Sequence, residues 1–198
     1  MKRFIITLLL VCTAFSAVSA QGFLFGVKGG LSGNWIPNTS INPDDKVMPN
    51  TGFYGGVSGS FDISDRTFVQ AEVLYARKGI STKGTVFENK YWRKLHYIQV
   101  PVMLGFKMVD DDFRLMVGPE FGYCAGNKVY DSATVVSPAS ASDVNKFNFA
   151  LALQTSYLVY EGLGVDFKLD YAFTRTFSGG DAGRNLCIQV GVSYLFGY

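Results

Sequence analysis

Residues 186–198 have the sequence LCIQVGVSYLFGY, and their pattern is the strongest indication of the fold. Its even-numbered positions are all apolar or aromatic, whereas its odd-numbered positions are mostly small or polar, with Leu195 as the exception. Strict alternation at a period of two predicts a β-strand. One face is apolar up to Tyr198, where a strand in water would normally give way to a polar tail. The pattern favours a transmembrane β-barrel, with lipid on one face and a lumen on the other, over a soluble barrel or sandwich.

The N-terminal residues have the pattern of a secretory signal peptide. Lys2 and Arg3 precede an apolar run over residues 4–11, and Val18-Ser19-Ala20 offers a small-residue cleavage site. We therefore expect a signal peptide at residues 1–20 and one exported domain at residues 21–198. The formal net charge of +2 falls to zero once the signal is removed, which gives no electrostatic reason to expect nucleic-acid binding.

Seven further strands are predicted from the same alternation. They lie at residues 23–33, 52–63, 67–78, 93–107, 113–123, 146–160 and 163–175. The connections alternate in length: residues 34–50, 79–92, 125–145 and 176–184 form long loops, and residues 64–66, 110–112 and 161–162 form tight turns. Outer-membrane barrels place short turns in the periplasm and long loops outside the cell. The sequence thus predicts an all-β fold, an eight-stranded antiparallel up-and-down transmembrane β-barrel in the cell outer membrane.

The stretch at residues 163–175 indicates which face meets lipid. Asp166, Lys168 and Asp170 alternate with apolar and aromatic residues. A charge that faces lipid near the bilayer midplane costs about 2–4 kcal/mol, so we expect the charged face to line the lumen. A soluble carrier barrel is the alternative; it would place the apolar face inside and its polar face in water.

The segment Tyr97-Ile98-Gln99-Val100-Pro101-Val102-Met103-Leu104-Gly105-Phe106-Lys107 resembles a characteristic strand of the PorT-like outer-membrane β-barrel family of Bacteroidetes. The stretches at residues 25–32, 52–56 and 69–79 are similar to the first three strands of that family. The sequence departs from the family pattern in having Gln99 in place of a glutamate and Gly105 in place of a more apolar residue. The resemblance implies the barrel fold, while the secretion and gliding roles of some members do not transfer on fold alone.

Seven charged residues fall on the predicted inner face. They are Lys28, Glu72, Arg114, Glu120, Asp166, Lys168 and Asp170. A barrel of eight strands is just wide enough to be filled by side chains, and buried charges must be paired. We therefore predict an internal salt-bridge network rather than a conducting path. Pro101 lacks a backbone donor, so we expect a β-bulge at its position.

The sequence contains few side chains that could act in catalysis or bind a metal. His96 is the sole histidine, and the parity of its strand points it toward lipid, so we interpret it as an interfacial side chain rather than a catalytic one. Cys124 and Cys187 lie on strands that are not neighbours, and we expect two free, buried thiols. No catalytic, cofactor-binding or metal-binding residues are predicted, and no cofactor is expected.

The function predicted from these features is a small, non-enzymatic outer-membrane barrel with a structural or surface-interaction role through its external loops. An outer-membrane enzyme acting on lipid or peptide, a narrow solute channel and a soluble carrier are the alternatives. Tyr194, Phe196 and Tyr198 are predicted to form the assembly signal. The expected partners are outer-membrane lipid, the barrel assembly machinery and an envelope or secretion-system protein.

Overall fold

The alternating segments of the sequence form long β-strands in the computed structural model, which describes residues 22–35, 46–48, 50–83, 90–108, 112–131, 134–137, 144–176 and 184–198. The strands are β1 (Phe23–Trp35), β2 (Lys46–Met48), β3 (Asn50–Asp62), β4 (Thr67–Lys83), β5 (Lys90–Met108), β6 (Phe113–Asp131), β7 (Thr134–Ser137), β8 (Phe147–Tyr160), β9 (Leu163–Arg175) and β10 (Arg184–Phe196). The predicted signal peptide and most of the four predicted long loops lie outside the described residues. Among the described residues, no helix is long and apolar enough to cross a membrane.

The eight long strands close into one antiparallel barrel. The strand β1 pairs with β3 on one side and with β10 on the other. The remaining pairs, β3–β4, β4–β5, β5–β6, β6–β8, β8–β9 and β9–β10, complete the circuit. Closure satisfies the backbone hydrogen-bonding groups that an open edge would leave unpaired in lipid. The predicted fold class, an eight-stranded antiparallel barrel, is confirmed.

The two faces of the barrel differ as the sequence pattern indicates. Along β9, Asp166, Lys168 and Asp170 are buried in the interior, whereas Val165 and Phe167 on the opposite face are exposed. The outward apolar row of β9 spans ten residue steps, from Leu163 to Phe173. At about 3.4 Å per step on a strand tilted by roughly 40°, this row gives an apolar band about 26 Å tall. That height matches the hydrocarbon thickness that an outer-membrane barrel has to cover.

The two short turns that the structure describes lie at the same end of the barrel, which we call the periplasmic end because outer-membrane barrels place their short turns there; most of the third predicted turn, at residues 110–112, lies outside the described residues. Ile63 N donates to Thr67 O at 2.8 Å and closes the turn between β3 and β4. The turn between β8 and β9 places Glu161 at φ 29° and Gly162 at φ 82°, both in the left-handed region. Two consecutive residues with positive φ form the kind of turn that matches the twist of a β-hairpin. The predicted turns at residues 64–66 and 161–162 are thus observed.

The prediction of a β-bulge at Pro101 is wrong. The register between β4 and β5 is the same on either side of Pro101, from Ala71 opposite Val102 to Leu74 opposite Gln99. The proline interrupts the ladder pairs locally without adding a residue. A register shift in the β5–β6 pair occurs instead between His96 and Tyr97, near the external end.

Three strands run further at the external end than the alternation predicts. The residues at 79–83 extend β4, those at 90–92 extend β5 and those at 124–131 extend β6, although these ranges were predicted to be largely loop. The short strand β2 pairs with β4, and β7 pairs with β6. A five-stranded sheet, in the order β2-β4-β5-β6-β7, therefore continues the wall of the barrel beyond the apolar band. We refer to it as the external sheet.

Candidate functional site

Among the residues whose side chains the structure describes, eight charged side chains are buried in the barrel interior, four cations and four anions. They are the seven predicted residues, Lys28, Glu72, Arg114, Glu120, Asp166, Lys168 and Asp170, together with Lys78. The prediction missed Lys78 because the third strand was expected to end there. Its even position, in phase with Glu72 on the same strand, is the signal that could have found it. With Lys78 included, the positive and negative charges of these eight described side chains balance.

The periplasmic half of the interior is organised around Glu72. Lys28 Nζ lies 2.8 Å from Glu72 Oε1 and 3.6 Å from Asp166 Oδ2. The same Glu72 oxygen accepts hydrogen bonds from Gln70 Nε2 at 2.6 Å and from Gln154 Nε2 at 3.3 Å. These groups come from β1, β4, β8 and β9, so the cluster joins opposite walls of the barrel.

The external half is organised around Glu120. Lys168 Nζ donates to Glu120 Oε2 at 2.7 Å, and Gln99 Nε2 donates to Glu120 Oε1. Lys78 Nζ lies 3.1 Å from Asp170 Oδ1 and 4.0 Å from Glu120 Oε1. Gln189 Nε2 donates to Gln99 Oε1 at 3.3 Å and extends the network to β10. Every strand of the barrel except β3 therefore contributes a side chain to one of the two halves.

Arg114 lies near the periplasmic mouth of the barrel. It contacts aromatic rings, whereas the lysines described above contact carboxylates. Its guanidinium carbon is 5.5 Å from the centroid of the Phe68 ring and 5.1 Å from that of the Tyr198 ring. Such distances allow cation–π attraction. Tyr198 was predicted to continue the lipid-facing row of β10; instead β10 ends at Phe196, and Gly197 has a φ of 80° that turns the chain. The Tyr198 ring thus lies beside the interior Arg114.

A small polar cavity adjoins Arg114. It is lined by Lys28, Ser58, Gln70, Arg114, Met116, Gln154, Ser156, Asp166, Ser193 and Leu195. Among the described residues, Arg114 Nε and Nη2 find no hydrogen-bond acceptor, and Gln154 Oε1 finds no donor. The cavity has room for about one water molecule. An ordered water there could hydrogen-bond to these unsatisfied donors and acceptors.

The arrangement has a clear physical consequence for transport. The interior charges are almost fully removed from water, and those around Glu72 and Glu120 are paired across the lumen, so they fill the cross-section at these two levels. Breaking one partner of such a pair leaves an uncompensated buried charge. The network therefore ties the strands of the barrel together across the lumen.

His96 lies on the outer face of β5. Its Nδ1 shares a hydrogen bond of 2.5 Å with Tyr75 Oη, and the two rings are 5.9 Å apart. Arg77 is its direct neighbour in the β4–β5 register. An aromatic and basic surrounding at the end of the apolar band is typical of an interfacial side chain.

The predicted assembly residues separate into two places. Tyr194 and Phe196 lie on the outer face, with their ring centroids 5.0 Å apart, and Phe196 stacks on Phe25 at 5.8 Å. Tyr198 leaves that row, as described above. Cys187 is a free, buried thiol as predicted, whereas Cys124 is half-buried with its Sγ 3.5 Å from Gly126 O, so the prediction that both thiols are buried is wrong for Cys124. No group of three His, Cys, Asp or Glu side chains that could hold a metal occurs in the described part of the chain.

Several solved structures are similar to this barrel. Neisserial surface protein A aligns with a TM-score of 0.53 and 16% identity over 87% of this chain and 96% of its own. OprG from Pseudomonas aeruginosa aligns with a TM-score of 0.51 and 12% identity over 89% of this chain and 97% of its own. Ail, the attachment invasion locus protein of Yersinia pestis, aligns with a TM-score of 0.50 and 13% identity over 88% of this chain and 99% of its own. At these identities the likeness is one of fold.

Sequence comparison identifies the family. A search of curated protein sequences found no match. The family model of the outer membrane protein beta-barrel domain matches residues 19–178. The matched region includes the strands β1 to β9 and so most of the barrel wall. Both the family and the similar structures locate the protein in the cell outer membrane. The chain therefore belongs to the outer membrane protein beta-barrel domain family.

Proposed function

We propose that this protein is a non-enzymatic outer-membrane anchor that presents the external sheet as a surface for interaction with another molecule. The observation that carries the proposal is the length of the wall on one side. The β4–β5 ladder continues from Arg77 opposite His96 to Lys83 opposite Lys90. Six further residue steps at about 3.4 Å carry the sheet roughly 20 Å along the strands beyond that pair.

The edges of the external sheet support an interaction role. The strand β2 pairs only with β4, and β7 pairs only with β6, within the part of the chain that the structure describes. Each therefore presents a backbone edge outside the membrane. Exposed edges can receive a strand from a partner, with main-chain hydrogen bonds supplying affinity.

The plugged lumen supports the same proposal over the channel alternative. The ion pairs centred on Glu72 and Glu120 fill successive levels of the interior. A solute would have to separate buried charges to pass. The cavity beside Arg114 favours a channel, but among the described residues the ion pairs around Glu120 stand between this cavity and the cell exterior.

The first experiment compares crosslinking from two ends of the protein in living cells. A photo-crosslinking amino acid is placed at Lys90 or Thr134 in the external sheet, and at Arg66 in a periplasmic turn as the matched control. We expect adducts of defined mass from the two external positions and different or no adducts from Arg66. Absence of adducts at both external positions would contradict the interaction role.

A conductance measurement separates the anchor from the channel. The purified protein is reconstituted in planar bilayers, and we expect no single-channel events above background. Discrete events that change when Lys168 or Arg114 is neutralised would establish a path through the lumen instead. An outer-membrane hydrolase would be supported by a pH-dependent lipase or peptidase activity that is lost in His96→Ala.

The residues of β5 and the outer aromatic rings of β10 suggest which family subgroup and which partners to test. The strand that contains Tyr97, Gln99 and Pro101 supports membership of the PorT-like group of Bacteroidetes barrels. An envelope or secretion-system protein is then the partner class to identify among the crosslinked adducts. The outward aromatic pair Tyr194 and Phe196 supports recognition by the barrel assembly machinery, and Tyr194→Ala with Phe196→Ala is expected to slow membrane insertion.

A further inference from the structure

The outer face of the barrel carries a one-sided distribution of charge. At the external end of the apolar band, the outward-facing ionisable side chains that the structure describes are basic. They are Arg77 on β4, Lys94 and His96 on β5, Arg175 on β9 and Arg184 on β10. Within the barrel wall, Glu72, Glu120, Asp166 and Asp170 face the lumen, and Asp62, Asp65, Asp112 and Glu161 lie at the periplasmic end; Asp131 stands further out, at the external end of β6. The external boundary of the band therefore favours anions.

Arg175 and Arg184 form the densest part of this boundary. They are directly opposite each other in the β9–β10 register, and both side chains are exposed. No described carboxylate is within ion-pair distance of either arginine. Like charges directly opposite on neighbouring strands destabilise a sheet. An anion shared by the two guanidinium groups would remove that repulsion.

The surroundings of the pair indicate what kind of anion it can take. Arg184 Nη1 donates to Tyr171 Oη at 3.5 Å, which directs the guanidinium along the barrel wall. Tyr171 and Phe173 pack edge to face at 5.8 Å immediately below, toward the membrane. A ligand with an anionic head would thus meet the arginines, and its apolar part would meet the aromatic wall.

We propose that Arg175 and Arg184 bind a phosphate group of a phosphorylated glycolipid in the outer leaflet of the outer membrane. The planar donors of arginine match phosphate oxygens in pairs. The site lies where the apolar band ends, so the phosphate sits at headgroup depth while the acyl chains lie along Tyr171 and Phe173. The inference is independent of the external sheet and its partner.

The test measures binding of a bis-phosphorylated glycolipid to the purified full-length protein in detergent by native mass spectrometry. The comparison ligand is the same glycolipid with both phosphates removed. The variants are Arg175→Gln, Arg184→Gln and the double substitution, with Arg66→Gln in a periplasmic turn as the control. We expect each arginine substitution to weaken binding of the phosphorylated lipid by about fivefold, and the control to leave it unchanged.

Three results would overturn the proposal. One is equal binding of the phosphorylated and dephosphorylated lipids by the wild-type protein. Another is unchanged binding by the double variant, provided that its unboiled gel mobility matches the wild type. The third is complete displacement of the lipid by inorganic phosphate at millimolar concentration, which would show a site for a soluble anion. If the double variant does not fold, the single variant Arg184→Lys tests whether the phosphate is bound by paired guanidinium donors. This variant keeps the charge and loses the paired donors.

Discussion

At the scale of single residues, the buried ion pairs of the lumen determine what a substitution costs. Glu120 accepts hydrogen bonds from Lys168 at 2.7 Å and from Gln99. We expect Glu120→Gln to lower the free energy of unfolding by about 3–5 kcal/mol, because it leaves the Lys168 ammonium buried without its carboxylate. The measurement is urea unfolding of the barrel in lipid vesicles.

Two further variants control this experiment. The double substitution Glu120→Gln with Lys168→Met removes both charges and is expected to recover most of the lost stability. Lys107→Met breaks the 2.7 Å pair with Asp62 near the periplasmic end, where the carboxylate side chain is 33% exposed. There we expect a loss of at most about 1 kcal/mol. Equal losses in the single and double lumen variants would show that the loss does not come from the unpaired Lys168 ammonium.

Gly162 gives a second prediction at this scale, based on backbone conformation. Its φ is 82°, and a Cβ added there would lie 2.4 Å from Leu195 O. Gly162→Ala is expected to destabilise the barrel by more than the ~1–2 kcal/mol that a left-handed conformation alone costs an L-residue. Gly33→Ala is the matched control, because a Cβ at Gly33 meets nothing within 4 Å. Indistinguishable urea midpoints for the two variants would refute this role of the turn.

At the scale of the strand, the outer row of β9 should be sensitive to charge according to depth. Phe167 lies near the middle of the apolar band and Leu163 at its periplasmic end. We expect Phe167→Arg to cost about 2–4 kcal/mol and Leu163→Arg at most about 1 kcal/mol. Folding yields into vesicles at graded urea concentrations measure both. A larger cost at Leu163 would mean that the band is placed wrongly along the strand.

The strands also show how far sequence alone can reach. Alternation predicts β9 well because its two faces meet lipid and a filled lumen, which select opposite side chains. The same signal fails at residues 79–83, since both faces of the external sheet are outside the membrane and no contrast is required. Lys78 still faces the lumen and was missed because the predicted strand was expected to end at this residue. The turn at Gly197, which brings Tyr198 beside Arg114, depends on one φ angle and leaves the alternation of the sequence intact.

At the scale of the whole molecule, stability in the membrane depends on closing the circuit between β1 and β10. The two strands meet closely where Gly30 is opposite Gly191. A Cβ at Gly30 would lie 2.2 Å from Val190 O, a backbone atom that cannot move without separating the strands. Gly30→Val should therefore open the seam and expose the backbone edges of β1 and β10, which lipid cannot satisfy. On a detergent gel, we expect the unboiled wild type to migrate apart from its boiled form, and unboiled Gly30→Val to migrate with the boiled form. Gly33→Ala, on the same strand, should behave as the wild type. If Gly30→Val retains the folded mobility, the seam adapts to a side chain, and closure depends on the other paired positions of β1 and β10 rather than on this contact.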